Sequence, residues 1–211
     1  MNEELAILEF FAQTEHLSLG LTVAEQMDKV REQMNNGLWL NLRSRLERLM
    51  KERGLAWGFE PTENRNAPDC LVGLHCSFGT EQPLYLRPMM EQQHLGGEWR
   101  IYFGLMWSAV PSREQLRIES VNGLKASLQK AGFRSNESFL AWKWTAFHPR
   151  RKDFLLRYAQ QPETLLDDIQ NNFRPLLIDH HEAIESANAA LKVSAESLVS
   201  SLARLRNELI D

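Results

Sequence analysis

From Leu176 to the last residue there is no glycine or proline, and Leu177, Ile184, Leu191, Leu198 and Leu205 recur at every seventh position. An unbroken seven-residue apolar repeat admits little besides a helix whose stripe is covered by another helix. Four residues after each of these come His181, Asn188, Ala195, Leu202 and Leu209, so the second line of the seam is polar at first and apolar at the end. The pattern predicts one continuous helix on the order of 50 Å long, at ~1.5 Å per residue. Asn188 inside such a seam favours one register or partner at some cost in stability. The expected interface is therefore Leu177, Ile184, Asn188, Leu191, Leu198, Leu202, Leu205 and Leu209, covered by the chain's own helices, by a second copy or by a helix of another protein.

The rest of the chain changes texture twice. Leu5, Leu8 and Phe11 have helical spacing within residues 3–12. Thr22-Val-Ala-Glu25 reads as a capping box opening a helix that turns Val23, Met27, Val30 and Met34 inward. Gly37 is a point where that helix could break. The pattern resumes with Leu38, Trp39, Leu42, Leu46, Leu49 and Met50, and Gly54 is a natural stop. Arg43, Glu47 and Lys51, spaced by four, read as a solvated face. Beyond Gly54 the segments LAWGFE, CLVGLHCSF, PLYLRPMMEQQ and EWRIYFGLMW alternate in the manner of strands, separated by turn-like runs. Trp99, Ile101, Phe103, Leu105 and Trp107 share one face. Pro88 suggests an edge or a bulge. Ser112-Arg-Glu-Gln115 resembles a second capping box, followed by Val121, Leu124 and Leu128 up to Gly132. A fifth strand is expected from Ser138 to Phe147, and helices from Pro149 and Pro162. The sum is an α+β fold: an antiparallel meander packed against helices, with residues 1–160 as the globular domain and 161–211 as a helical C-terminal segment.

Composition narrows the function classes. Apolar residues at 43% and charged residues at 25% are those of an ordinary globular chain. No run reaches the ~18 apolar residues of a membrane span, and MNEELAILEFF opens with acids, unlike a secretory signal. Cys70 and Cys76 would lie about 20 Å apart along a strand at ~3.3 Å per residue, too far to bridge. Reduced cysteines point to the cytosol.

Net charge is −4, against bulk coating of nucleic acid. Charge is nevertheless uneven: residues 139–160 hold five bases and one acid, and residues 161–211 hold nine acids and four bases. With residues 138–147 as a strand, Leu140, Trp142, Trp144 and Ala146 face the core, and Phe139, Lys143 and Thr145 face away. Arg150, Arg151 and Lys152 would then open a helix, where the macrodipole disfavours cations unless an anion joins them. The candidate anion or nucleic-acid site is thus Lys143, Arg150, Arg151, Lys152 and Arg157, with an internal carboxylate such as Asp167 or Asp168 as the alternative occupant.

His181 and Glu185 form one i,i+4 pair, short of a metal site, and no catalytic or cofactor motif occurs. Pro68-Asp69 ahead of one strand and Glu98-Trp99-Arg100 at the start of a later one resemble the PD-(D/E)XK nuclease pattern. The helical and meander texture of residues 38–107 resembles parts of such proteins outside their active centres. That resemblance implies Asp69 and Glu98 as Mg²⁺ ligands. The lysine position holds Arg100, whose guanidinium stays protonated, which puts an inactive or divergent member in view. The leading expectation is a non-enzymatic interaction subunit of a cytosolic, bacterial complex, docking or dimerising through its C-terminal helix, without cofactor, metal or membrane. A nucleic-acid accessory factor using the Arg150 region stands second.

Overall fold

The computed structural model describes residues 2–63, 70–78, 82–93 and 99–208, with side chains described as far as residue 194. The chain runs α1 (Glu3–Ala12), α2 (Thr14–Glu52), β1 (Gly58–Glu63), β2 (Leu71–Ser77), β3 (Leu86–Gln92), β4 (Ile101–Trp107), α3 (Glu119–Lys130), β5 (Phe139–Trp144), α4 (Lys152–Gln160), α5 (Pro162–Arg174) and α6 (His181–Glu208). The strands form one antiparallel meander in the order β1-β2-β3-β4-β5. The expected α+β architecture is present.

Alternation explains which face the helices cover. Ile101, Phe103, Leu105 and Trp107 of β4 are buried with Leu74 and Cys76 of β2, Leu86 and Met90 of β3, and Phe59 of β1. The second half of α2 lays Leu38, Trp39, Leu42, Leu46, Leu49 and Met50 on that face, at the i, i+3, i+4 spacing of one helical stripe. Helix α3 adds Val121, Leu124 and Leu128. Gly54, at φ +68°, terminates the approach of α2 in the left-handed conformation that glycine adopts without penalty. Ser112 and Gln115 do exchange capping bonds: the Ser112 N–H donates to Gln115 Oε1 at 2.8 Å, and the Gln115 N–H to Ser112 Oγ at 3.2 Å. They close a 3₁₀ turn (Gln115–Arg117) ahead of α3. Both cysteines are buried and free.

Three expectations about local structure are corrected. The helix does not begin at Thr22: α2 starts at Thr14 and runs unbroken through Gly37, and the Thr22 hydroxyl donates to its own helix at Ser18 O. Val23 and Val30 are exposed rather than inward. Strand β3 is interior, not an edge. Its ladder with β2 stops at Met89, beside Pro88, which has no N–H to give. The C-terminal helix is not continuous from Leu176. A π-helical turn (Pro175–Asp179) joins α5 to α6, with the His180 N–H reaching back five residues to Pro175 O at 3.2 Å.

The segment after residue 160 shares the core of the sheet. Leu165, Leu166, Ile169 and Phe173 of α5, Leu176 and Leu177 of the π turn, and Ile184, Ala187 and Leu191 of α6 all belong to the same buried cluster as β2–β4.

Candidate functional site

The seam residues come first. Leu177, Ile184 and Leu191 are fully buried against the body of their own molecule. They are therefore not free to meet a second helix, and that part of the expected interface is corrected. Asn188 is used in an unforeseen way. Its Oδ1 accepts from the Leu86 N–H at 2.7 Å and its Nδ2 donates to Leu86 O at 2.9 Å. With the β2 ladder ending at Met89, those two main-chain groups of β3 have no strand to pair with, and the carboxamide takes the place of a neighbouring peptide. Asn35 and Asn36 of α2 treat Leu71 similarly: Asn35 Nδ2 donates to Leu71 O at 2.6 Å, and the Leu71 N–H donates to Asn36 Oδ1 at 2.7 Å. His181 packs its ring on Trp57 at 4.5 Å and lies 3.3 Å from Glu185. The side chains of Leu198, Leu202 and Leu205, and the whole of Leu209, lie outside the described residues.

The basic segment is scattered by the fold. Arg150 and Arg151 precede α4, and only Lys152 falls in its first turn. Arg150 lies 3.5 Å from Asp28 of α2, with its guanidinium 5.8 Å from the centroid of the Trp99 ring. Arg151 lies 3.4 Å from Asp153. Arg157 pairs with Asp168, and Asp167 is taken by Arg45. For Arg150, Arg151 and Arg157 the anions are the protein's own. Lys143 belongs elsewhere altogether, on the helix-covered side, with Nζ 4.3 Å from the Phe133 ring centroid and 5.3 Å from that of Phe103. Burial pushes its ammonium pKa down. Arg150, Arg151, Lys152, Arg157 and Lys143 thus form no common anion site. Among the described residues, no group of three His, Cys, Asp or Glu is placed to hold a metal. Asp69 and Glu98 lie outside the described residues. Arg100 is exposed, its Nε donating to Thr145 O at 2.9 Å.

Lys143 faces inward because β5 carries a bulge. Leu105 pairs with Ala141 but Met106 pairs with Phe139, so Leu140 is the extra residue. Leu140 and Ala141 are buried side by side, and every later side chain changes face. Trp142 and Trp144 are therefore not core anchors. They stand on the open face of the sheet, half-buried, beside Tyr102 of β4.

That face can be read row by row from the register. Glu91, Tyr102 and Trp144 form one cross-strand row; His75, Met89, Gly104 and Trp142 form the next; Arg87, Met106 and Phe139 form the third. Arg134 extends the middle row through a bridge to Trp142. The rings meet edge to face: Tyr102–Trp144 at 5.5 Å and Trp142–Trp144 at 5.5 Å. The Tyr102 hydroxyl donates to Glu91 at 2.7 Å, and burial together with that carboxylate raises the phenol pKa far above its ordinary value. Arg100 lies 5.1 Å over the Trp144 ring. Gly104 has to be glycine, because a Cβ there would come within 2.2 Å of Ala141 O and 2.8 Å of Trp142 Cβ. A cleft of about 320 Å³ opens along this cluster, lined by Gln92, Gln93, Tyr102, Asn136, Phe139, Trp142 and Trp144.

A second surface has no counterpart in the sequence reading. Helix α1 has no buried residue, and α2 has none before Asn35. Leu5, Leu8, Leu17, Leu19, Leu21, Val23 and Val30 are among nine large apolar side chains exposed there by 41–67%. They make up nine of the fourteen exposed in the described residues. Helix α1 folds back on α2, its Phe11 ring lying where a Cβ on Gly20 would be, and Phe10 stacks on His16 at 4.0 Å. Leu19, Val23 and Val30 follow one stripe of α2, at i, i+4 and i+11. No family model, curated protein or solved structure matches the chain, and no described helix is long and apolar enough to cross a membrane.

Proposed function

We propose that this protein is a non-enzymatic interaction subunit that docks a partner protein through its N-terminal helical arm, α1 with the first half of α2. The observation that carries the reading is the unburied apolar surface of residues 5–30 on well-formed helices. An apolar patch of this extent marks an interface far more often than a solvated surface. The C-terminal helix, half of whose seam is spent on the protein's own core, supports docking less well.

Charge selects the kind of partner. Residues 1–28 contain Glu3, Glu4, Glu9, Glu15, Glu25 and Asp28, and no lysine or arginine. Two such arms laid together would bring mostly like charges near one another, Lys29 and Arg31 being the bases at the far end of the apolar stretch. A helix or groove of another protein with an apolar stripe edged by Lys and Arg complements both features.

The test uses the full chain and two synthetic amphipathic helices of equal length, one leucine/lysine and one leucine/glutamate, with a scrambled leucine/lysine peptide as control. The leucine/lysine helix should bind, more weakly at higher salt. The quadruple variant Leu8→Gln, Leu19→Gln, Leu21→Gln, Val23→Gln should lose that binding while keeping its circular dichroism. Equal binding of the glutamate or scrambled peptide would overturn the charge argument. A dimer in light scattering that the variant disperses would make the occupant a second copy.

A further inference from the structure

We infer that the open face of the sheet is a binding site for single-stranded nucleic acid, with Trp142, Trp144 and Tyr102 as the stacking surface and Arg87, Arg100 and Arg134 as the phosphate contacts. The first support is the placement of the aromatics. Trp142, Trp144 and Tyr102 occupy neighbouring positions on β4 and β5, half-exposed, on the side of the sheet away from the helices. Bases stack on such rings with little regard to sequence, because every base offers a flat face. The ring centroids are only 5.5–6.3 Å apart. No cage is left between them for a small cation, and a flat ligand has to lie along the cleft beside them.

The second support is charge. Several arginines elsewhere are matched to carboxylates: Arg31 and Arg150 with Asp28, Arg43 with Glu47, Arg45 with Glu163 and Asp167, Arg157 with Asp168. Others, such as Arg113 and Arg117, stand singly on the surface among the described residues. On the open face, Arg87, Arg100 and Arg134 make no ion pair among the described residues. Arg87 has only a 3.8 Å contact to Met106 Sδ, Arg100 a carbonyl and a ring, and Arg134 lies exposed at the end of the middle row. The carboxylate between them, Glu91, is engaged by the Tyr102 hydroxyl. Arginine suits this position, since it contacts phosphate in a bidentate manner and stacks on rings.

The third support is polar equipment. Gln93 and Asn136, both exposed, line the cleft. Asn136 Oδ1 accepts from the Ser138 and Phe139 N–H groups, which leaves its Nδ2 and the Gln93 amide to meet base edges. The Trp142 indole N–H, on a residue that lines the cleft, is buried without an acceptor among the described residues. At about 320 Å³ the cleft is at the lower end of ligand-site volumes, ~300–1,000 Å³. That is room for one or two bases, with the strand continuing over the rows toward Arg87 and Arg134.

The test is titration of full-length protein with 20-nucleotide oligouridylate and oligothymidylate, reading tryptophan fluorescence over a salt series. A 20-base-pair duplex serves as comparison. Quenching by single strands is expected, with the duplex at least about tenfold weaker. Three phosphate contacts give a slope of log K against log salt of about −2. Trp144→Leu should weaken binding about tenfold, and Arg100→Ala or Arg134→Ala should each reduce the slope by about 0.7. Arg113→Ala, exposed on another element, should change nothing. Because both arginines are solvent-exposed, their variants report on the site even if the tryptophan variant misfolds. Absence of quenching at low salt, an unchanged salt slope in both arginine variants, or tighter binding of a proline-rich peptide than of either oligonucleotide would each overturn the assignment.

Discussion

One carboxamide shows how a residue can be read correctly in kind and wrongly in place. Asn188 falls in a leucine seam, and a polar residue in a seam does specify register. Here the register is that of α6 on the side of β3, fixed by two hydrogen bonds to Leu86. The two roles predict opposite outcomes for one substitution. In a coiled coil, Asn→Leu at a seam position raises stability and loosens specificity. In this fold, Asn188→Leu removes both partners of a β3 peptide that no strand can satisfy. The cost of orphaned main-chain groups is about 1–3 kcal/mol each. The urea midpoint should therefore fall by the equivalent of about 2–6 kcal/mol with the slope unchanged. A rise in midpoint would return Asn188 to a helical seam. What was missing from the sequence was Pro88's consequence: by ending the β2 ladder it leaves a gap that a residue a hundred positions later fills.

At the scale of elements, periodicity was informative wherever it ran uninterrupted and misleading where one residue shifted it. The even spacing of Trp99 to Trp107 placed β4 correctly, and Leu38 to Met50 placed the buried half of α2. The same rule applied to β5 put both tryptophans in the core, because a single extra residue, Leu140, inverts every face after it. Nothing in FLAWKW itself announces a bulge. The register with β4, and the close approach allowed by Gly104, decide it. Helix α2 carries the complementary lesson. Val23, Met27, Val30 and Met34 were read as inward along with Leu38 to Met50, yet the buried residues of α2 begin at Asn35. The difference is measurable within one helix. Leu46→Ala, fully buried, should cost about 2–5 kcal/mol, whereas Val23→Gln should stay within about 0.5 kcal/mol. Thermal or urea unfolding of the two variants distinguishes these. Comparable losses at both sites would mean that Val23 is covered in solution.

For the whole molecule, the question is what stabilises an arm in which no residue before Asn35 is buried. Most helical stability in proteins comes from packing one face, not from propensity. Residues 3–34 have the contact of α1 on α2, made by Phe10 with His16 and Phe11 with Gly20, and the exposed Arg150–Asp28 pair to the body, which is worth little. The body, in contrast, has a single core drawing on β1–β5 and on α2 to α6. Its opening free energy should approach that of global unfolding, while the arm opens locally at far lower cost. Amide hydrogen exchange on the isolated protein should therefore split α2 in two. Amides before Asn35 should exchange with little protection, and those from Leu38 to Met50 should exchange only with the sheet. Adding a bound partner along the arm should erase the boundary, because ordering those helices is part of what docking would have to supply. If the boundary is already missing in the purified chain at low concentration, the arm is folded into something other than water. The reading of α1 and α2 as a free docking element then fails, whatever the open face of the sheet proves to bind.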